Sequence, residues 1–197
     1  MTATTDSPRV EPLEPPYDPE VAEQLARWMP PGAEIEPLTL FRTLAVHEDL
    51  MSRMRPLGAG ILGSRTVPIG LRELMIDRTC ALTGAEYEWG VHVTAFGAAA
   101  GLDESQIQAT ATGGSAEACW DQEQSAVLRL AEELHHTSSI SEELWAELTS
   151  LFTPEQSIEL IVTAGWYHVI AYLCNGLRLP REAWAARFPA ARDGADA

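Results

Sequence analysis

Two apolar helical segments joined by a tight turn constrain the fold of this chain more than any other feature. The first runs from Ile69 to Leu82 and the second from Ala85 to Ala100, with Thr83-Gly84 between them. A glycine directly after a helical segment is typical of a helix C-terminus, and helices joined by so short a connection pack antiparallel. The sequence therefore predicts a helical hairpin at the centre of the fold.

The remaining segments show the same helical periodicity. Typical helix starts, with a capping residue, a proline or acids in the first turn, stand at Asp18-Pro19-Glu20, Asp103, Ser141-Glu142-Glu143 and Thr153-Pro154-Glu155. No segment alternates polar and apolar residues over the length of a strand. We therefore expect an all-α protein with about eight to ten helices, the last of them a short one at Glu182–Phe188.

Prolines and charges dominate the first residues of the chain, with prolines at Pro8, Pro12, Pro15, Pro16 and Pro19. Such a segment has too little apolar surface to form a core. We expect a disordered or extended proline-rich arm at residues 1–18, a single helical domain at 19–188 and a flexible tail at 189–197. The total length of 197 residues suits one domain.

Charge and hydropathy exclude several classes of partner. The net charge is −16, with 13 arginines and no lysine, so the chain would repel nucleic acids and anionic membranes. No apolar run reaches the roughly 18 residues of a membrane span. The first residues lack the basic start and apolar core of a secretory signal. These observations predict a cytoplasmic protein with neither nucleic acid nor membrane as a partner.

The three cysteines are Cys80, Cys119 and Cys174. They form neither a Cys-x-x-Cys motif nor a zinc-ligand spacing. An odd number of widely separated cysteines in a cytosolic chain indicates buried thiols, not a disulfide framework.

Ionisable residues concentrate in the helical hairpin. Glu88 and His92 are four residues apart and share one face of the second helix. One face of the first helix carries Glu73, Asp77 and Cys80. Antiparallel packing would bring Glu73 towards His92. A carboxylate–imidazole–carboxylate cluster that is shielded from water can give one proton and take another at neutral pH.

The Glu–His spacing also occurs without any catalytic role. Such a pair, four residues apart, can be a surface salt bridge or include a histidine that only packs in the core. A metal site is a third possibility, but it needs further ligands. The remaining histidines of the second half, His135, His136 and His168, have no fixed relation to the pair in the sequence.

The long apolar helix predicted after Thr153 carries a second polar stripe. His168, Tyr172 and Asn175 share one of its faces. Polar groups on so apolar a helix either satisfy each other or line a cavity, and both possibilities stay open.

The stretch Arg72-Glu73-Leu74, followed by Thr83-Gly84-Ala85-Glu86-Tyr87-Glu88-Trp89-Gly90-Val91-His92-Val93, resembles the carboxymuconolactone decarboxylase family, which includes the alkylhydroperoxidase D-like proteins. Weaker similarity extends the resemblance to about residues 36–180. It implies an all-helical, alkylhydroperoxidase D-like fold that forms homo-oligomers (dimers, trimers or hexamers) with sites near subunit interfaces.

Two positions separate this chain from the peroxidase branch of that family. In that branch a glutamate is followed by Cys-x-x-Cys and a histidine. Glu73 and His92 match the outer residues, but Ala85 and Glu88 stand at the two cysteine positions. Without those cysteines the peroxide-reducing dithiol cannot form. The decarboxylase branch, which uses no metal or organic cofactor, is the closer match.

The decarboxylase branch implies roles for the three central residues. His92 would donate a proton or polarise a lactone carbonyl, and Glu88 and Glu73 would orient it or move the proton. Arg72 or Arg42 would hold the substrate carboxylate. The other expected substrate-binding residues are Tyr87, Cys80, Phe96, His168 and Tyr172.

The predicted function is therefore that of a cofactor-independent decarboxylase, lyase or isomerase that acts on a small cyclic carboxylate or lactone. Two alternatives stay open: a peroxidase-like antioxidant protein and a non-catalytic helical binding protein.

Overall fold

The structure, a computed structural model, describes residues 7–30, 32, 33 and 35–190. Within these residues no strand occurs, and a 3-10 turn at Ala45–His47 follows the second helix. The nine α-helices of the described residues are α1 (Pro19–Trp28), α2 (Thr39–Leu44), α3 (Glu48–Gly63), α4 (Ile69–Leu82), α5 (Glu86–Ala100), α6 (Glu104–Thr112), α7 (Gln122–Thr137), α8 (Glu142–Leu151) and α9 (Pro154–Leu177). The predicted all-α class is confirmed.

Local sequence determines where several helices begin and end. Asp103 Oδ1 accepts a hydrogen bond from Gln106 N at 2.9 Å, and Gln106 Oε1 accepts one from Asp103 N at 3.2 Å. This capping box starts α6, and Asp121 and Gln124 start α7 in the same way. Gly84, after α4, has a φ of +67°, which a residue with a side chain rarely adopts. The α4–α5 hairpin therefore forms where the sequence predicts it.

The described chain divides into two compact units, the first of which comprises Met1–Ser64 and Tyr172–Ala183. In this unit α1, α2 and α3 pack against one another. The segment before α1 is non-helical, and Leu13 N donates to Arg42 O in α2 at 3.2 Å. The domain boundaries stay a prediction, since residues 1–6 of the expected arm and 191–197 of the expected tail lie outside the described residues.

The second unit, Arg65–Ala171 with Trp184–Ala197, has α4 at its centre. This helix packs on α5, α6 and α7, and all ten residues from Leu71 to Cys80 are buried. A helix that is buried all round lies in the core of a domain. Its residues Leu71, Leu74 and Met75 share one hydrophobic core with residues of later helices, which include Ala126, Val127, Leu128, Leu130, Leu144, Leu148, Leu160 and Ala164.

Four of the buried residues in α4 carry a carboxyl or guanidinium group: Arg72, Glu73, Asp77 and Arg78. Ionisable groups are rarely buried without a partner. Arg78 has partners in two helices, because Nε donates to Glu132 Oε1 and Nη1 donates to the carbonyl oxygen of Thr110, each at 3.0 Å. Arg78 thereby connects α4 to α7 and α6. Arg72, Glu73 and Asp77 belong to the candidate site.

Residues 184–190 of the second unit form no helix, and part of this segment bonds to α5. The predicted helix at Glu182–Phe188 is wrong, because backbone groups of this segment bond to α5 instead of to each other. Ala186 N donates to Gly90 O at 3.3 Å, and Phe188 N donates to Glu86 Oε1 at 3.0 Å. A Cβ atom on Gly90 would lie only 2.1 Å from Ala186 O, so glycine is what permits this close approach.

Among the described helices, only α9 is long and apolar enough to cross a membrane, with a mean hydropathy of 1.3 in its most apolar window. Half of that window is buried within the structure. A core helix of a soluble protein has the same properties, so this feature is weak support for a membrane span.

Candidate active site

Glu73 of α4 and His92 of α5 form a buried ion pair in the second unit. His92 Nδ1 and Glu73 Oε2 are 2.7 Å apart, and the two residues are 3% and 1% exposed. The sequence predicts this approach of Glu73 to His92. Glu88 is buried as well, which excludes the surface salt bridge that its spacing from His92 also allowed.

The other ring nitrogen of His92 faces a carboxylate and a phenol. His92 Nε2 lies 3.4 Å from Glu88 Oε1 and 3.0 Å from the hydroxyl of Tyr167 in α9. The Tyr167 ring meets the imidazole edge-on, and Phe96 packs against the imidazole with a centroid distance of 5.1 Å. The imidazole is therefore held on both nitrogens inside a partly aromatic enclosure.

The surroundings of His92 favour its protonated form. Burial lowers the pKa of His92, but the hydrogen bonds and negative charges of Glu73 and Glu88 together raise it to about 10. Burial, followed by the charges of Glu88 and Glu73, raises the pKa of Tyr167 well above its usual value. At neutral pH the cluster therefore holds an imidazolium that donates from both nitrogens and a phenol that keeps its proton.

Arg72 supports Glu73 from the side opposite His92. Its Nε and Nη2 donate to Glu73 Oε1 at 3.0 and 2.9 Å. Glu73 thus accepts from Arg72 on one oxygen and from His92 on the other. A carboxylate bonded on both oxygens is fixed in orientation, so Arg72 acts on the imidazole through Glu73.

Two buried carboxyl groups in this part of the chain have oxygens without a partner among the described residues. They are Glu88, through Oε2, and Asp77, through both Oδ1 and Oδ2. Asp77 is 1% exposed. Burial, followed by the neighbouring charge of Glu73, raises its pKa well above the usual value, although the His92 cation opposes this.

Two of the other sequence-predicted residues, His168 and Tyr172, are part of α9. His168 Nδ1 donates to Ala164 O at 2.8 Å, and its Nε2 lies 3.1 Å from His135 Nδ1. Tyr172 is 67% exposed and belongs to the first unit. Tyr87 and Cys80 are buried, and Cys80 lies close enough to Tyr167 to raise its pKa. Their roles as substrate contacts stay predictions.

Tyr167 is the functional candidate that the sequence does not single out. It precedes His168 on α9 and approaches His92 across 75 positions of sequence. Its only sequence feature is a hydroxyl beside the polar stripe of α9, and nothing in the spacing reveals which turn of α9 faces α5.

The described part of the chain contains no metal-ligating cluster and no disulfide. No three of its His, Cys, Asp and Glu side chains converge so that they could hold a metal ion. All three cysteines are described, and no disulfide joins them.

The sequence that contains this site matches a known protein family. Residues 48–133 match the carboxymuconolactone decarboxylase family, and this stretch contains Glu73, Asp77, Glu88 and His92. A search of curated proteins found no match.

Solved structures share the fold at low sequence identity. An uncharacterized peroxidase-related protein from Silicibacter sp. TM1040 is 15% identical, with a TM-score of 0.75 over 95% of this chain and 100% of that one. The debrominase Bmp8, as an alanine variant in complex with 2,3,4-tribromopyrrole, is 16% identical, with a TM-score of 0.72 over 89% and 92%.

An uncharacterized peroxidase-related protein from Ralstonia eutropha JMP134, described as an alkylhydroperoxidase AhpD core, is 14% identical, with a TM-score of 0.66 over 88% and 93% of the two chains. The resemblance predicted from the motif is confirmed: residues 48–133 match the carboxymuconolactone decarboxylase family, the fold is alkylhydroperoxidase D-like, and the sequence lacks Cys-x-x-Cys.

Proposed function

We propose that the chain is a cofactor-independent acid/base enzyme of the decarboxylase, lyase or isomerase type, acting on a small cyclic carboxylate or lactone. One observation carries the proposal: a buried His92 cation lies between Glu73 and Glu88, and Glu88 keeps one oxygen without a partner in the described chain. A site that holds a proton donor beside a proton acceptor is suited to proton transfer.

The His92 imidazolium acts as donor and as fixed positive charge. In a lactone acid with a β,γ-double bond, the bond to the carboxylate breaks and its electron pair moves through the double bond onto the lactone carbonyl oxygen. Carbon dioxide leaves, and the resulting dienolate takes a proton on carbon. Since the pKa of His92 is about 10, this residue acts as the acid and as a stabiliser of the enolate charge, not as a base at neutral pH.

The carboxylates then have separate roles. Glu73, held by Arg72, keeps the imidazole oriented and charged, whereas Glu88 is a base only in an isomerisation, because a decarboxylation releases no proton for it to accept. An isomerisation uses the same two groups, with Glu88 removing a proton from carbon and His92 returning one elsewhere. A ring-shaped ligand fits the comparison with Bmp8, which is described in complex with 2,3,4-tribromopyrrole.

Substitution of His92 tests the proposal. His92→Ala should reduce kcat with small unsaturated lactone acids about 10² to 10⁴-fold. Substitution of exposed His136 by alanine is the matched control and should leave kcat unchanged. A His92→Ala protein that is folded and fully active would sink the proposal and would favour a binding protein without catalysis.

The cysteines provide a second control, directed at the peroxidase alternative. A variant with Cys80, Cys119 and Cys174 all replaced by serine should keep its turnover of lactone acid, because the mechanism uses no thiol. Loss of turnover in a folded triple variant would instead favour thiol chemistry.

Assembly into a homo-oligomer, implied by the family resemblance, is also proposed. It is supported by exposed apolar side chains on α9, where Ile158, Val162 and Val169 are 63%, 40% and 43% exposed. Their spacing places them along one stripe of the helix, a pattern typical of helix–helix interfaces. A cytoplasmic location stays a prediction.

A further inference from the structure

Asp77 is a buried acid for which the protein provides no hydrogen-bond partner. It lies one helical turn after Glu73 and on the same face of α4. It is 1% exposed, and neither Oδ1 nor Oδ2 is bonded to any residue that the structure describes. Buried polar groups are almost always bonded, so a carboxyl group in this state is unusual.

The position of Asp77 on α4 places it among the groups of the proposed active site. The residues before and after it on the same face are Glu73 and Cys80. Glu73 bonds His92, and the charge of Cys80 raises the pKa of Tyr167. Asp77 itself interacts electrostatically with both Glu73 and His92. The face of α4 that carries Glu73 and Asp77 is therefore directed towards His92.

The surroundings of Asp77 differ from those of Glu73 and Glu88. Glu73 and Glu88 lie against the His92 cation, and Glu73 also accepts from Arg72. Asp77 has no such bond, and burial raises its pKa well above the ordinary range. A carboxylic acid in such a place keeps its proton and offers an O–H donor.

A purely structural role accounts poorly for this arrangement. An acid inside a core helix that bonds nothing lowers stability, whereas an apolar side chain of similar size would not. Thr79, two residues further along α4, is also buried, and its hydroxyl does find an acceptor, Met75 Sδ at 3.8 Å. Thr79 is bonded within the described protein and Asp77 is not, which favours a role for the Asp77 carboxyl group in binding a ligand.

We propose that Asp77 is a further catalytic residue, a neutral carboxylic acid that donates its O–H to the substrate oxygen on which enolate-like negative charge develops. The proposal rests on the proposed function, because it assigns the oxyanion position of that same site. The ligand class is an oxyanion conjugated to a small ring, such as an enolate or a phenolate. His92 moves its proton during the reaction, whereas Asp77 keeps its own throughout.

Binding of para-nitrophenolate, an enolate mimic whose visible absorbance reports its ionisation, tests this assignment without requiring turnover. Asp77→Leu should bind the phenolate about 10- to 100-fold more weakly than wild type, the change that corresponds to one lost hydrogen bond to a charged acceptor. Asp77→Asn keeps an N–H donor and should bind within about threefold of wild type. Thr79→Val is the matched control and should bind as wild type does.

Infrared spectroscopy of the ligand-free protein adds an independent readout. Wild type at neutral pH should show the carbonyl band of a protonated carboxyl group, and Asp77→Asn should lack it. Absence of that band in wild type, lack of phenolate binding by wild type, or equal binding by wild type and folded Asp77→Leu would each overturn the proposal.

The two proposals fail in distinguishable ways. If the phenolate binds with the expected dependence on Asp77 but no lactone acid is turned over, the oxyanion site stands and the proposed reaction does not. If lactone acid is turned over in a His92-dependent manner but Asp77→Leu is fully active, the reaction stands and the role of Asp77 does not.

Discussion

Folding stability should fall steeply between pH 6.5 and about 10, because His92 binds its proton more tightly in the folded chain than in the unfolded chain. Its pKa is raised from 6.5 to about 10. A group whose pKa is raised by folding contributes its full stabilisation below the unfolded pKa. That contribution is then lost progressively as the pH rises through the folded pKa.

The size of this effect follows from the two pKa values. Each pKa unit corresponds to about 1.4 kcal/mol, so the complete loss is on the order of 5 kcal/mol, of which about 2 kcal/mol is gone by pH 8. His92 is only 3% exposed, so solvent screens the interaction little. Domains have a total stability of about 5 to 15 kcal/mol, which makes the loss a large fraction of the whole.

Urea unfolding, followed by tryptophan fluorescence at pH 6, 8 and 9.5, measures the effect. The free energy of unfolding of wild type should decrease across this series, and that of His92→Gln should decrease less steeply, since only the contribution of His92 is removed. His136→Gln, which changes an exposed histidine, should retain the wild-type slope. A wild-type stability that does not change with pH, or a His92→Gln slope as steep as that of wild type, would refute the reasoning.

Four further substitutions test the packing of the chain, the site and the proposed assembly. Gly90→Ala should destabilise the chain by about 1 to 3 kcal/mol in urea unfolding, because the added Cβ atom would displace Ala186. Gly165→Ala has open space around its Cβ position and should stabilise α9 by about 0.5 to 1 kcal/mol. Glu73→Gln should reduce kcat and move the alkaline limb of the pH–rate profile to lower pH, since His92 would then lose its proton earlier. Val162→Glu should reduce the mass measured by light scattering, and an unchanged mass would place the subunit contact elsewhere.

Much of the fold can be predicted because helix ends are encoded locally. The capping box of Asp103 and Gln106 and the glycine after α4 depend on residues within a few positions of each other. The segment at 182–188 differs from its predicted helix for the opposite reason. Its backbone bonds to α5, about 90 residues away, and no local pattern reveals a contact with Gly90.

Some residues of the candidate site can likewise be predicted from local sequence, and others cannot. Glu73, Glu88 and His92 can be found because their helices are joined by a short turn, so that spacing along the chain fixes spacing across the hairpin. Tyr167 cannot be found, since its approach depends on how α9 packs on the rest of the second unit. The bond from Arg72 to Glu73 cannot be predicted from the sequence, because neighbouring positions on a helix do not usually face each other. The two side chains meet because α4 is buried on all sides.

The stability effect of Asp77 has the opposite pH dependence to that of an ion-paired acid. Its pKa is raised on folding, chiefly by burial, so its contribution to stability is most favourable below the unfolded pKa, near 3.8, and is lost as the pH rises towards the folded pKa. Asp77→Asn cannot ionise and escapes this loss. Its stability relative to wild type should therefore increase from pH 4 to pH 7 in urea unfolding, whatever the constant effect of the amide. A difference that does not change with pH would show that Asp77 is ionised in the folded protein, and such an anion could not donate to the oxygen of a substrate.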